Sequence, residues 1–216
     1  MNIQTNLILF GKHPCSSEYL SFGKNTDFSK SISNWMQNGY ETFLEQNSGD
    51  NPSTCSHFCL LNEQKRSFAC GSIKINSDLK NRAYPLMILL EVFPNSKFPL
   101  FSDVLNYCKN IWENISKILH KRCNMQELKA DLAKLVKMKF DKINKTENFS
   151  IQCSIKEDET DNSCLVSSSS EVNFKNICKN LPSKKELSMF VDEKYNNMKI
   201  YYRSLLTDDF VTLVRL

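Results

Sequence analysis

The most continuously apolar part of the chain is residues 84–93, which read YPLMILLEVF. A run of this length and composition is typical of a central strand that is buried on both faces of a sheet. Two further strand patterns precede it, at residues 57–62 and 67–75, and only short connections separate the three. Parallel neighbours need a long crossover, so we predict that the three strands are antiparallel neighbours.

Amphipathic patterns on both sides of these strands predict helices at residues 27–46, 101–121 and 126–140. Ser102 is the candidate N-cap of the second helix. Weaker patterns predict strands at 6–11, 149–155, 187–191 and 199–202, a short helix near 171–180 and a terminal helix at 208–216. We therefore predict an α/β fold: one domain over residues 1–216, with a mainly antiparallel central sheet flanked by helices and a mobile loop near 156–170.

Composition argues against several classes of protein. The 216 residues are 41% hydrophobic and 24% charged, with a net charge of +4 that is spread along the chain, so no nucleic-acid partner is predicted. The longest apolar run, residues 85–90, is far shorter than the roughly 20 residues that cross a bilayer, so no membrane insertion is predicted.

The first residues lack a secretory signal, and the nine cysteines include no C-x-x-C pair. A reducing, cytoplasmic location is expected.

Two short motifs resemble ligand sites. Cys55, His57 and Cys59 share one face of a predicted strand, but a fourth zinc ligand is not evident, although Cys70 could pair with them across a hairpin. Half-buried strand residues are the favoured interpretation, and no metal is predicted. Gly11-Lys12 lacks the upstream glycine and the following hydroxyl of a phosphate loop. We therefore predict no cofactor.

Catalysis is weakly supported. The histidines are His13, His57 and His120, and none lies in a nucleophile motif. We predict that the chain is not an enzyme. A small hydrolase or phosphatase, with a catalytic set assembled only in space, stays open as an alternative.

Residues 78–86 join two predicted strands and place Asp78 four residues before Arg82. One interpretation is an Asp78–Arg82 ion pair that fixes the loop, with Pro85 stiffening the entry to the strand. The other is an exposed recognition loop, since loops on rigid scaffolds often carry function.

Several separated stretches resemble one family. Residues 9–19, LFGKHPCSSEY, resemble the opening G-K-L-P-x-x-G-D-F of TagF (ImpM) proteins, the accessory proteins of type VI secretion systems. Residues 35–40, WMQNGY, resemble W-L-Q-x-G-L, and residues 78–86 resemble D-x-x-G-R-x-[FY]-P-L with Asn81 in place of glycine. A weaker similarity to the family's ending lies at 189–191 and 202–210.

The resemblance implies a cytoplasmic, non-catalytic protein that regulates the secretion apparatus after translation, restraining its assembly or firing. It also implies a partner, the forkhead-associated scaffold protein or another type VI secretion component. A structural component of the secretion baseplate is the alternative. The residues that match family positions and can reach solvent from loops are Lys12, Glu18, Asp78, Arg82 and Tyr84. They form either a partner surface or a bridge between two loops.

Overall fold

One antiparallel sheet organises the chain. The computed structural model describes residues 3–46, 55–62, 67–94, 101–138, 153–158, 161, 163–168 and 186–215. Its strands are β1 (Ile3–Gly11), β2 (Leu20–Phe22), β3 (Cys55–Asn62), β4 (Ser67–Ser77), β5 (Ala83–Pro94), β6 (Cys153–Asp158), β7 (Ser163–Ser168), β8 (Glu186–Asp192) and β9 (Asn197–Tyr201). Within the described residues, nine strands pair in the order β2-β1-β5-β4-β3-β8-β9-β7-β6, and every pair is antiparallel.

Strand β5 is the buried strand that the sequence predicted. It pairs with β1 on one side and β4 on the other, so that Leu90 lies opposite both Leu7 and Cys70. Its side chains alternate between the two faces of the sheet, which is why a continuous apolar run is needed. Leu86 to Leu90 are completely buried, and they divide between two separate hydrophobic cores.

Helices cover both faces of the sheet. The helices are α1 (Asp27–Gln46), α2 (Phe101–His120), α3 (Met125–Val136) and α4 (Thr207–Arg215). Helices α2 and α3 pack on one face, where Trp112 is fully buried, and α1 and α4 pack on the other, around Met36 and Phe210. The predicted α/β architecture, an antiparallel sheet flanked by helices, is confirmed. None of the helices within the described residues is both long and apolar enough to cross a bilayer.

The contact between α1 and α4 explains part of the W-x-Q-x-G pattern. A Cβ atom on Gly39 would lie 2.2 Å from Cβ of Phe210, so any larger residue would push the two helices apart. Trp35 donates a hydrogen bond from Nε1 to the carbonyl oxygen of Leu206, at 2.8 Å, and stacks on Phe190. The glycine and the tryptophan therefore set the distance between α1 and α4.

Helix boundaries differ from the prediction. Helix α2 begins at Phe101, so Ser102 lies inside its first turn and is not the N-cap. Helix α3 begins after Asn124, whose side chain accepts hydrogen bonds from the amides of Gln126 and Glu127, both at 3.0 Å. The Glu127 carboxylate accepts from the Asn124 amide in return, which completes a capping box. Helix α3 ends at Val136, and residues 139–140 lie outside the described residues.

The loop predicted near residues 156–170 is wrong over its described part. Residues 153–158 and 163–168 form the hairpin β6–β7, and β7 also pairs with β9 through Cys164 and Ile200. Cys164 and Val166 are buried in the sheet, so β7 does show the alternation of buried and partly exposed residues that is typical of a strand. The serines and acidic residues around them hid this pattern in the sequence. Strand β6 begins at Cys153 rather than 149, while residues 149–152 and the helix predicted near 171–180 lie outside the described residues.

Candidate functional site: two loops joined at one end of the sheet

Two loops meet where β1 ends and β5 begins. Strands β1 and β5 pair down to Gly11 and Leu86, so the loop that follows β1 and the loop that precedes β5 leave the sheet at the same place. We call residues 12–19 and 78–82 the paired loops. All five residues that the sequence analysis selected lie in the paired loops or, for Tyr84, directly after them.

Asp78 organises the second loop. One carboxylate oxygen, Oδ1, accepts hydrogen bonds from the amides of Lys80 and Arg82, both at 2.9 Å. The other, Oδ2, accepts from Nε of Arg82 at 2.8 Å and lies 3.8 Å from Nζ of Lys12. Asn81 has a φ of 57°, a left-handed conformation that asparagine tolerates better than most residues. Asparagine can therefore stand where the family pattern has glycine.

The two loops are joined by hydrogen bonds from the second loop to the first. Nη2 of Arg82 donates to the carbonyl oxygen of Ser17 at 2.6 Å, and the amide of Leu79 donates to the carbonyl oxygen of Ser16 at 3.2 Å. Arg82 thus contacts Asp78 in its own loop and the backbone of the other. The Asp78–Arg82 ion pair, one of the two interpretations of the sequence, is present within the second loop, and the hydrogen bond from Arg82 to Ser17 joins that loop to the first.

A cluster of aromatic rings packs next to the paired loops. Nζ of Lys12 lies 5.6 Å from the centre of the Tyr84 ring, a cation–π contact. The ring of Tyr84 meets Tyr19 and Tyr40 edge to face, with centroids 5.4 and 5.3 Å apart. Tyr19 in turn contacts Phe10 at 4.8 Å. The half-buried Tyr84 ring therefore packs among these rings beside the paired loops.

Exposure separates the five predicted residues into two groups. The side chains of Asp78 and Lys12 are 0% and 18% exposed, whereas that of Arg82 is 51% exposed. Glu18 is also exposed, and no ion pair involving its carboxylate is found within the described residues. Asp78, Lys12 and Tyr84 hold the loops, while Arg82 and Glu18 face solvent.

Among the exposed residues of this surface that sequence reasoning did not select are two large hydrophobic ones. Leu79 is 67% exposed and Tyr19 is 39% exposed, and both lie on the paired loops. Leu79 is an apolar residue in an otherwise polar loop, outside any periodic pattern. Single exposed apolar residues are common on protein surfaces, so the sequence alone gave no signal that would have selected Leu79.

Two of the three histidines, His13 and His57, are buried in the core. His13 is fully buried, and its Nδ1 accepts a hydrogen bond from the Cys15 amide at 3.1 Å; burial lowers its pKa. His57 packs against the rings of both Trp112 and Tyr195, which also contact each other, and burial, with a smaller effect of His120, lowers its pKa to about 4. Both imidazoles are therefore neutral at pH 7 and enclosed.

The three candidate zinc ligands lie on β3 beneath α2. Cys55, His57 and Cys59 are all buried, and Cys59 lies directly opposite Cys70 across the β3–β4 pair. Among the described residues, no group of three or more histidine, cysteine, aspartate or glutamate side chains is arranged to hold a metal ion. All three are buried core residues between the sheet and α2.

The Asp78 carboxylate gives the loops a distinctive acid response. Burial raises its pKa, but hydrogen bonds from the Arg82 amide, the Arg82 guanidinium and the Lys80 amide outweigh burial and lower the pKa from 3.8 to about 2. A carboxyl whose pKa is lower in the folded state stabilises the fold above its unfolded pKa. That stabilisation is lost as the pH falls from 3.8 towards about 2.

We therefore expect wild-type protein to lose stability relative to Asp78→Asn as the pH falls through this window, since asparagine keeps the Oδ1 acceptor but has no charge to lose. Urea unfolding of both proteins from pH about 5 to about 2 measures the difference. Parallel stability curves over the whole range would contradict the assignment.

A sequence comparison now identifies the family. The profile described as "TagF N-terminal domain, Type VI secretion system-associated" matches residues 9–135, more than half of the chain. The chain belongs to the TagF N-terminal domain family. The matched range contains both paired loops, and it ends within α3, so β6 to β9 and α4 lie beyond it.

The TagF assignment makes this a type VI secretion-associated protein. The fold is similar to the crystal structure of PA0076 from Pseudomonas aeruginosa PAO1, with a TM-score of 0.57 and 11% sequence identity. The similarity covers 99% of this chain and 94% of PA0076, and it therefore extends the shared fold beyond the TagF profile into β6 to β9. No curated protein matches the chain.

Proposed function

We propose that this protein is a cytoplasmic, post-translational regulator of type VI secretion, a repressor of assembly or firing, that acts by binding another protein through the paired loops and not by catalysis. The observation that supports it most is the arrangement of the loops. A buried Asp78 fixes their backbone, and Arg82, Glu18, Tyr19 and Leu79 are held at the surface.

A fixed loop surface favours binding because less conformational entropy is lost when a partner docks. The hydrogen bonds from Arg82 to Ser17 and from Leu79 to Ser16 supply that rigidity. Tyrosine and arginine are also the residues that most often dominate binding energy at protein interfaces. The paired loops combine one of each with an exposed leucine.

The partner that the family resemblance favours is the forkhead-associated scaffold protein, or another type VI secretion component. Arg82 uses Nε and Nη2 within the paired loops, and no hydrogen bond of its Nη1 is found in the described part of the chain. Arg82 and the exposed Lys80 give the surface two cations, and Glu18 gives it one anion. We expect a partner patch with opposite charges on either side of an apolar centre that receives Leu79 and Tyr19.

The test is capture of the purified scaffold protein by variants that change only exposed side chains. We expect Leu79→Asp with Glu18→Lys to weaken capture at least about tenfold, because two surface contacts are lost while the Asp78 bridge stays intact. Leu44→Asp is the matched control, since Leu44 is 48% exposed on α1 and is not a residue of the paired loops. Thermal unfolding confirms that each variant is folded.

A second variant separates docking from loop bridging. Asp78→Ala with Arg82→Ala removes the bridge, so it is expected to weaken capture and also to lower the unfolding temperature. Wild-type affinity of a folded Leu79→Asp/Glu18→Lys variant would remove the paired loops from the interface. Stable, stoichiometric purification with the secretion particle would instead indicate the baseplate component.

A further inference from the structure

A cleft between α2 and α3 lies outside the paired loops. It has a volume of about 320 Å³, at the lower end of the range for ligand sites, and it is open to solvent. Its lining residues are Asn114, Lys117, Ile118, Lys121, Asp131, Lys134, Leu135 and Met138. Three of the eight are lysines and one is an aspartate, which leaves the cleft with an excess of two positive charges.

The charges are arranged around Asp131. Its two oxygens accept separate hydrogen bonds, from Nζ of Lys121 at 2.8 Å and from Nζ of Lys134 at 2.7 Å. Each ammonium group has three donors, so each keeps two that Asp131 does not use. Lys117 lies one helical turn before Lys121, and no carboxylate partner of Lys117 is found among the described residues. Asp131 thus holds two lysines in place without neutralising the cleft.

The other wall is apolar. Ile118 and Leu135 form its buried base, with 6% and 2% exposure, and the half-buried Met138 lies at its rim. A methionine side chain is flexible and adapts to differently shaped apolar groups. Polyphosphate chains would gain nothing from this wall. A ligand with alternating acidic and apolar groups can pair with the lysines and also pack against the apolar residues.

We propose that this cleft binds an acidic peptide segment of a partner protein. Carboxylates of the segment lie at Lys117, Lys121 and Lys134, and one apolar side chain packs against Met138. The volume accommodates a few side chains, so affinity comes from a short stretch of the partner. The assignment is independent of the paired loops, because none of their residues lines the cleft.

The probe is a fluorescently labelled short peptide of alternating glutamate and leucine, titrated with the full chain at low ionic strength. Saturable binding is expected, whereas the same peptide with glutamine for glutamate, or with serine for leucine, binds at least about tenfold more weakly. Lys117→Glu with Lys134→Glu is expected to weaken binding by the same factor or more. Lys30→Glu with Lys194→Glu, which makes the same charge change at other exposed positions, leaves it unchanged.

A second measurement places the peptide. In protein with ¹³C-labelled methionine methyl groups, the signal that Met138→Leu removes is expected to shift on titration, while that of Met36, a buried residue of α1 on the opposite face of the sheet, stays fixed. The proposal is overturned if the peptide does not bind, if the glutamine peptide or a single-stranded oligonucleotide binds as tightly, or if the two lysine pairs behave alike. A shift confined to other methionines would also overturn it.

Discussion

Gly11→Ala is expected to lower the free energy of unfolding by about 3 kcal/mol or more, from two independent effects. The φ of Gly11 is 128°, a region that residues with a side chain rarely adopt. A Cβ atom would also lie 2.0 Å from the carbonyl oxygen of Pro85 and 2.8 Å from Cα of Leu86. Both atoms belong to the backbone of the central strand, so they cannot move aside without disturbing the sheet.

Urea unfolding of purified protein measures this loss. Ser21→Ala is the matched control, because Ser21 lies opposite Phe10 in the neighbouring β1–β2 pair and is exposed. Its effect is expected within about 0.5 kcal/mol. If Gly11→Ala were as stable as the control, the backbones of β1 and β5 would have to lie farther apart at Gly11 than these distances indicate. Because Gly11 directly precedes the paired loops, loss of partner binding by this variant would not distinguish unfolding from displacement of the loops.

Trp112→Ala is expected to cost about 3–5 kcal/mol, since it removes the largest fully buried side chain of the α2 face. The indole stacks on the His57 imidazole with a centroid distance of 5.5 Å, and Nε1 donates to the carbonyl oxygen of Phe58 at 3.0 Å. Truncation therefore leaves a cavity between α2 and β3 and removes this hydrogen bond.

Two further variants separate the effects of side-chain volume, hydrogen bonding and burial on this loss of stability. Trp112→Phe keeps much of the volume and loses the hydrogen bond, so about 1–3 kcal/mol is expected. Trp35→Ala is the comparison for an indole that is only half buried, on the opposite face, and its cost is expected to be smaller than that of Trp112→Ala. Circular dichroism during denaturation gives all three values. Equal costs for the two alanine variants would contradict the burial difference between the faces.

Local sequence patterns were sufficient for the elements whose structure depends on near neighbours. The apolar run of β5, the helical spacing of α1 and α2 and the short connections of β3, β4 and β5 each follow from residues close together in the chain. The Asp78–Arg82 pair belongs to the same class, because its partners are four residues apart. Strands rich in polar residues were not recognised from the sequence, as in the β6–β7 hairpin.

The candidate site shows where local reasoning stopped. The five selected residues came from motif positions, which cannot distinguish a buried carboxylate from an exposed one. Only the fold showed that Asp78 is enclosed and that Arg82 reaches the Ser17 carbonyl oxygen, 65 residues away in sequence. The exposure of Leu79 and Tyr19 likewise follows from how the two loops pack against each other.

The sequence by itself determined the α/β class, the central antiparallel strands, most helices and the resemblance to TagF proteins, because periodicity and motif order are properties of the chain. Only the tertiary structure decided the order of the strands, the burial of His57 beneath Trp112 and the cleft between α2 and α3. These features depend on contacts between residues far apart in the chain, which many alternative arrangements of the same elements would change.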